Sequence, residues 1–179
     1  MKNIELKAKY PNQKAAMVIA ENLGAKYEGI LEQEDIYFKI SPAKLKERLK
    51  LRIINKADYE LIYYKRANLK SARESEYEIF KVRNGMELLN VLKSILLVIS
   101  IIKKKREVYI FENVRIHIDT VKGLGKFIEF EAVCRNKKEI KDAQLKLKKL
   151  VSEFNISTKN LIKMSYSDLI TNKKIISKT

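Results

Sequence analysis

The chain has 179 residues but one cysteine, Cys134, one histidine, His117, and no tryptophan. A lone cysteine excludes an intrachain disulfide framework and a cysteine-cluster metal site, and a lone histidine excludes a His-rich one. Any metal is therefore expected on carboxylates. Cys134, at the end of a strand, reads as a small buried hydrophobe. The most apolar stretch, Ile95 to Ile102, is far shorter than the roughly 20 residues a membrane helix needs. The opening Met1-Lys2-Asn3-Ile4-Glu5 lacks the apolar region of a secretory signal, so a cytoplasmic location is expected. Acidic residues are also scarce, 22 against 38 Lys and Arg, a formal net charge of +16. That excess implies a polyanionic partner such as nucleic acid, a phosphate-rich small molecule or an anionic membrane face.

Hydrophobic residues make up 46% of the chain, enough to bury a core and exclude disorder throughout. One domain over residues 1–179 is expected, with a strand-rich core at about 3–134 and C-terminal helices over 136–170. From Asn3 to Tyr10 the residues alternate, with Ile4, Leu6, Ala8 and Tyr10 on one side and Asn3, Glu5, Lys7 and Lys9 on the other, which predicts a strand. Pro11 stops it, and Asn12 caps a helix closed by Gly24. Further strands are expected at Asp35 to Ile40, Leu49 to Ile54, Tyr59 to Arg66 and Glu74 to Arg83. Pro42, Asn55-Lys56-Ala57-Asp58 and Asn68 mark the joints.

Asn84-Gly85 opens a helix from Met86 to Leu97. Strands follow at Ile101 to Phe111, Val114 to Val121 and Lys126 to Cys134, with hairpin turns at Glu112-Asn113 and Gly123-Leu124-Gly125. Asn136 with Glu139 resembles a capping box for a helix to about Phe154, and the last twenty-five residues read as a short helix and a loose basic tail. Eight strands joined by short turns predict an α+β fold whose antiparallel sheet can close into a barrel with flanking helices, removing both exposed edges.

Strand parity carries the functional signal. Lys50 and Arg52 share a side, as do Lys104 and Arg106. Arg115, His117 and Asp119 share another, while Glu76 pairs with Glu78 and Glu129 with Glu131. A solvated sheet face has no reason to segregate charge sign by strand. A barrel lumen lined with charge does: cations hold a polyphosphate, and carboxylates coordinate a hard divalent ion. His117 shares the parity of Asp119 and is read as a hydrogen-bonded wall residue. The lysines of the helix after Asn136 are read as solvated.

The run Asn3-Ile4-Glu5-Leu6-Lys7-Ala8-Lys9 resembles the opening of the CYTH, or triphosphate tunnel metalloenzyme, family, whose pattern is Glu-x-Glu-x-Lys. Asn3 stands where that pattern has its first Glu, removing one metal ligand. The resemblance continues through Gln33 to Phe38, Arg48 to Arg52, Tyr64-Lys65-Arg66, Arg73 to Glu78 and Lys104 to Tyr109. It is most specific over Arg115 to Glu131, which includes Val121-Lys122-Gly123-Leu124-Gly125-Lys126-Phe127.

This resemblance implies a closed barrel of about eight strands around a tunnel that binds a triphosphate-containing small molecule with Mg²⁺ or Mn²⁺. It implies Glu5, Glu76, Glu78, Glu129 and Glu131 as metal ligands, and Asp119 as a further acidic candidate. The triphosphate clamp it implies is Lys7, Lys9, Lys50, Arg52, Lys65, Arg106 and Arg115, with Lys65, Arg106 and Asp119 as catalytic residues. Fold alone does not choose the reaction. The leading expectation is class IV adenylate cyclase-like conversion of ATP to cyclic AMP and pyrophosphate. The alternatives are hydrolysis of thiamine triphosphate or tripolyphosphate, and a non-catalytic polyanion-binding module. Nucleic acid and membranes are not expected partners, and a homodimer is one expectation for assembly.

Overall fold

A computed structural model describes residues 2–40, 47–66 and 73–176. The expected joints at Pro42 and Asn68 lie outside the described residues. The strands are β1 (Lys2–Lys9), β2 (Lys26–Phe38), β3 (Glu47–Ile54), β4 (Asp58–Arg66), β5 (Arg73–Val82), β6 (Val98–Phe111), β7 (Val114–Val121) and β8 (Gly125–Cys134). The helices are α1 (Gln13–Asn22), α2 (Gly85–Ile95), α3 (Lys137–Glu153) and α4 (Tyr166–Ile176). The strands form a closed antiparallel barrel in the order β1-β5-β4-β3-β2-β6-β7-β8. Two meanders, β2 to β5 and β6 to β8, join through β2 and β6, and β1 closes the wall between β5 and β8.

Because successive side chains in a strand face opposite ways, each strand sends one set outward and one inward. Outward residues of β1, β7 and β8, including Ile4, Ile116, Ile128 and Phe130, pack under Ala16 and Ala20 of α1, Ala143 and Leu147 of α3, and Phe154 just after it. Leu89 and Leu92 of α2 cover Ile36, Phe38 and Leu51 from β2 and β3. These three helices therefore lie outside the barrel, and the charged side chains of the walls are turned to the interior. The Asn136 cap forms as expected: its Oδ1 accepts from the Lys138 and Glu139 amides at 3.0 and 2.9 Å, and Glu139 accepts from the Arg135 amide. No helix among the described residues is long and apolar enough to cross a membrane.

Three expectations are corrected. Strand β2 begins at Lys26, nine residues before Asp35, because the register shift between Tyr27 and Gly29, where Gly29 has φ of 119°, breaks the alternation that marks a strand. Strand β6 begins at Val98, ahead of Ile101. The expected short C-terminal helix is α4, but the segment through residue 176 is docked rather than loose: Leu161 bridges Ala8, and α4 packs against the barrel end. At that end Tyr37, Ile102, Val121 and Phe127 fill the interior together with Tyr166, backed by Leu169 and Ile170 of α4.

The Asn84-Gly85 joint has a steric basis. A Cβ on Gly85 would lie 1.9 Å from Cγ of Tyr59, so the helix start seats directly on that ring. Gly85→Ala is expected to cost about 1–3 kcal/mol through forced repacking, read as a lower urea midpoint with unchanged slope.

Candidate active site

The inward residues enclose a cavity of about 410 Å³. Its walls carry Lys7 and Glu5 from β1, Asp35 from β2, Lys50 and Arg52 from β3, Lys104 and Arg106 from β6, Arg115 and His117 from β7, and Glu129 and Glu131 from β8. Toward the end away from Tyr166 the wall carries the apolar Leu31, Ile79 and Val108 together with the charged Glu60 and Arg115. The opposite end is stopped by the cluster around Tyr166.

One half of the wall is organised by Asp35. Its carboxylate accepts from Lys50 Nζ at 3.0 Å and from Arg52 Nε and Nη2 at 2.7 and 3.1 Å, while Lys104 Nζ stands 3.8 Å away. Burial opposes the charge on Asp35, but Arg52, Lys50 and Lys104 hold its carboxyl well below the usual range. Three cations on one carboxylate leave a positive excess. Burial, aided by Arg52, brings Lys50 down to about 7, and burial with Arg106 brings Lys104 down to about 8. A bound polyanion would supply the missing negative charge.

The deeper network centres on Arg106. Its Nε and Nη2 each donate to Asp119 at 2.7 Å, and Nη2 also donates to Glu129 at 2.8 Å. The Tyr166 hydroxyl donates to Asp119 at 2.9 Å, and Lys7 Nζ lies 3.9 Å from the centre of the Tyr166 ring. Glu129 is buried yet held ionised by Lys7, at 3.6 Å, and by Arg106.

The acidic side is less settled. Glu5 and Glu131 are register partners across β1 and β8. Burial, then the charges of Glu129 and Glu5, raise the Glu131 carboxyl above its usual range. Asn3 donates to Glu131 Oε1 through Nδ2. Asn3 Oδ1 and His117 Nδ1, both buried, have no hydrogen-bond partner among the described residues. His117 lines the cavity wall as expected, with Nδ1 3.8 Å from Glu131 and 4.0 Å from Glu129. Among the described residues, no group of three or more His, Cys, Asp or Glu is arranged to hold a metal.

The barrel brings together Glu5, Lys7, Lys50, Arg52, Arg106, Arg115, Asp119, Glu129 and Glu131, and leaves four of the expected site residues outside. Lys65 is on the outer face, its side chain 58% exposed and 3.5 Å from Glu47, because Ile62 and Tyr64 take the inward positions of β4. Glu76 and Glu78 are exposed on the outside of β5, where Ser75, Tyr77 and Ile79 face in. Lys9 has the parity of Lys7 but is exposed at the end of β1. Lys104, Asp35 and Tyr166 were missed as site residues. The shared parity of Lys104 with Arg106 was the available signal for the first.

A family model described as the CYTH domain matches residues 1–166. The chain belongs to the CYTH domain family. This places it among enzymes of the triphosphate tunnel class, which act on triphosphate-containing substrates. It is similar to a candidate adenylate cyclase of Methanocaldococcus jannaschii, with 27% identity over 172 residues covering 94% of this chain and 98% of the relative. A solved Pyrococcus horikoshii protein superimposes with a TM-score of 0.82 at 24% identity, covering 93% of this chain and 98% of that one. A Hippeastrum protein described as a candidate adenylyl cyclase with a dominant triphosphatase activity matches with a TM-score of 0.65 at 16% identity, over 96% of each chain. In this CYTH domain the match stops at the first residue of α4, yet α4 supplies Ser167, bonded to Ser100 at 2.7 Å, and Asp168, paired with Arg48 at 3.2 Å.

Proposed function

We propose that this CYTH domain is a divalent-cation-dependent adenylate cyclase-like enzyme that converts ATP to cyclic AMP and pyrophosphate. The observation that carries the reading is the polarity of the cavity along its length. Lys50, Arg52, Lys104, Arg106 and Lys7 lie toward the stopped end, and Leu31, Ile79 and Val108 lie toward the other end, where Arg115 and Glu60 are the charged neighbours. A triphosphate drawn onto the cations leaves its organic group among the apolar side chains, an arrangement of no use to bare tripolyphosphate.

In the reaction, the ribose 3′-hydroxyl oxygen attacks the α-phosphorus and gives up its proton to solvent, the bond from that phosphorus to the bridging oxygen breaks, and pyrophosphate leaves. Lys50, Arg52, Lys104 and Arg106 are placed to neutralise the charge that develops on the leaving group. Asp35 and Asp119 act as positioning residues, holding those cations in fixed geometry before substrate arrives. The donor chemistry fits a hard divalent cation at Glu5 and Glu131, where two carboxylates crowd and the Asn3 amide oxygen is buried without a partner. Such a cation, when bound, adds positive charge at the phosphate oxygens.

Hydrolysis is the second reading, favoured by the triphosphatase activity in the name of the Hippeastrum relative. The test is product analysis with ATP, thiamine triphosphate and tripolyphosphate in Mg²⁺ or Mn²⁺. Cyclic AMP with stoichiometric pyrophosphate, lost in chelator, is the expected result. Free phosphate without cyclic AMP would overturn the cyclase reading in favour of hydrolysis. Tight binding without turnover would overturn both.

A further inference from the structure

We infer that His117 and Asn3 join Glu131 as ligands of a mixed nitrogen and oxygen cation site that favours Mn²⁺ over Mg²⁺. The inference rests on the proposed function, which places a divalent cation on the acidic side of the cavity, and it adds which atoms complete the site and which metal they select. The three residues stand on adjacent strands, β7, β8 and β1, with β8 in the middle. In each pairing the inner faces bring His117 and Asn3 to diagonal positions on either side of Glu131.

Two observations point to a ligand. Asn3 and His117 are only 5% and 4% exposed, and each has a buried polar atom, Oδ1 and Nδ1, without a hydrogen-bond partner among the described residues. A buried polar group left unpaired costs about 1–3 kcal/mol, so two such atoms beside one carboxylate require an explanation. The second observation is spacing. His117 Nδ1 is 3.8 Å from Glu131 Oε2, too far for a hydrogen bond. Two ligands that each stand roughly 2.1 Å from one ion lie at most about 4.2 Å apart, so this gap is within the span of a shared cation.

Asn3 already donates its Nδ2 to Glu131 Oε1, which turns the carboxylate and leaves the amide oxygen as a neutral hard donor. Glu129 is engaged elsewhere, by Lys7 and Arg106. The site therefore combines a carboxylate, an amide oxygen and an imidazole, with Glu5 across from Glu131 as the next oxygen donor. It contains one carboxylate fewer than the family pattern would place at position 3. Mg²⁺ holds its waters and prefers an all-oxygen shell, whereas first-row transition ions accept imidazole. The imidazole nitrogen is therefore what shifts preference toward Mn²⁺.

The chain has one histidine, so imidazole bound to a paramagnetic ion can come from one place. The experiment is pulsed electron paramagnetic resonance on tag-free, chelator-stripped full-length protein loaded with Mn²⁺, with and without tripolyphosphate. Directly coordinated ¹⁴N in the wild type is expected. In His117→Gln the nitrogen signal should vanish and Mn²⁺ affinity should fall at least about 10-fold, with Mg²⁺ affinity changed less than about 3-fold. Mn²⁺ held without coordinated nitrogen in the wild type would overturn this inference and leave the proposed function standing. No bound Mn²⁺ in either state would overturn both.

Discussion

Arg106→Ala is expected to abolish triphosphate binding and to lower the unfolding free energy by about 3–5 kcal/mol. Arg106 is 6% exposed and faces two carboxylates, Asp119 and Glu129, through three hydrogen bonds of 2.7 to 2.8 Å. Its removal leaves two buried acids sharing Lys7, Lys104 and the Tyr166 hydroxyl. Arg106→Lys restores one point charge but not the two-pronged contact with Asp119, so it should recover stability only in part. Urea unfolding and calorimetric titration with tripolyphosphate read the two effects separately. An unfolding midpoint unchanged in Arg106→Ala would show that this network does not hold the fold together.

The same network sets the acid limit. Burial opposes ionisation of Asp119 and Glu129, but Arg106, Lys104 and Lys7 hold both carboxyls below their ordinary range. Groups depressed in the folded state stabilise it above the unfolded carboxylate pKa of about 4. That contribution is lost as pH falls from there through the depressed folded values.

The second large effect concerns Lys50 and Lys104. Their titration near 7 and 8 means that the free cavity loses positive charge as pH rises through that interval. Affinity for tripolyphosphate should fall over the same interval, and binding near pH 8 should take up protons, visible as a heat that changes with buffer ionisation enthalpy. Lys50→Met and Lys104→Met should each weaken binding by about 10–100-fold, the range for a hydrogen bond to a charged group. The double variant should show a flat pH profile from 6.5 to 9. A profile as steep as the wild type in that variant would assign the protons elsewhere. For stability the sign is reversed. A lysine whose folded pKa is depressed destabilises the fold below its unfolded value, so the ligand-free protein should gain stability from about pH 7 toward 10.

Much of the barrel was legible because its walls obey one rule. Alternation in β1, β3, β7 and β8 separates core from cavity without ambiguity, and the charged side of each turned inward because helices cover the other side. The rule failed where both faces carry charge. In β5, Glu76 and Glu78 share a face, but Ser75, Tyr77 and Ile79 are the inward set, and nothing within the strand tells an acidic outer face from an acidic lumen. In β4 the resemblance over Tyr64-Lys65-Arg66 points to Lys65, but Tyr64 takes the inward parity and Lys65 the outer one. Asp35 was hidden for a different reason. It sits on a strand whose first half is disguised by the bulge at Gly29, and its role comes from Lys50, Arg52 and Lys104, brought in from two other strands. Tyr166 could not be found by pattern at all, since a short C-terminal helix carries no local sign that its first residue enters a barrel.

That helix has a kinetic meaning. Among the described residues Tyr166, Phe127 and Tyr37 stop one end, so traffic through the other end is last in, first out. Under cyclase chemistry the pyrophosphate half, held deepest against the cations, cannot depart until the cyclic nucleotide in front of it has gone. The order of exit is then fixed by the architecture of the barrel, and pyrophosphate, the last to leave, competes directly with the next ATP for the empty chamber.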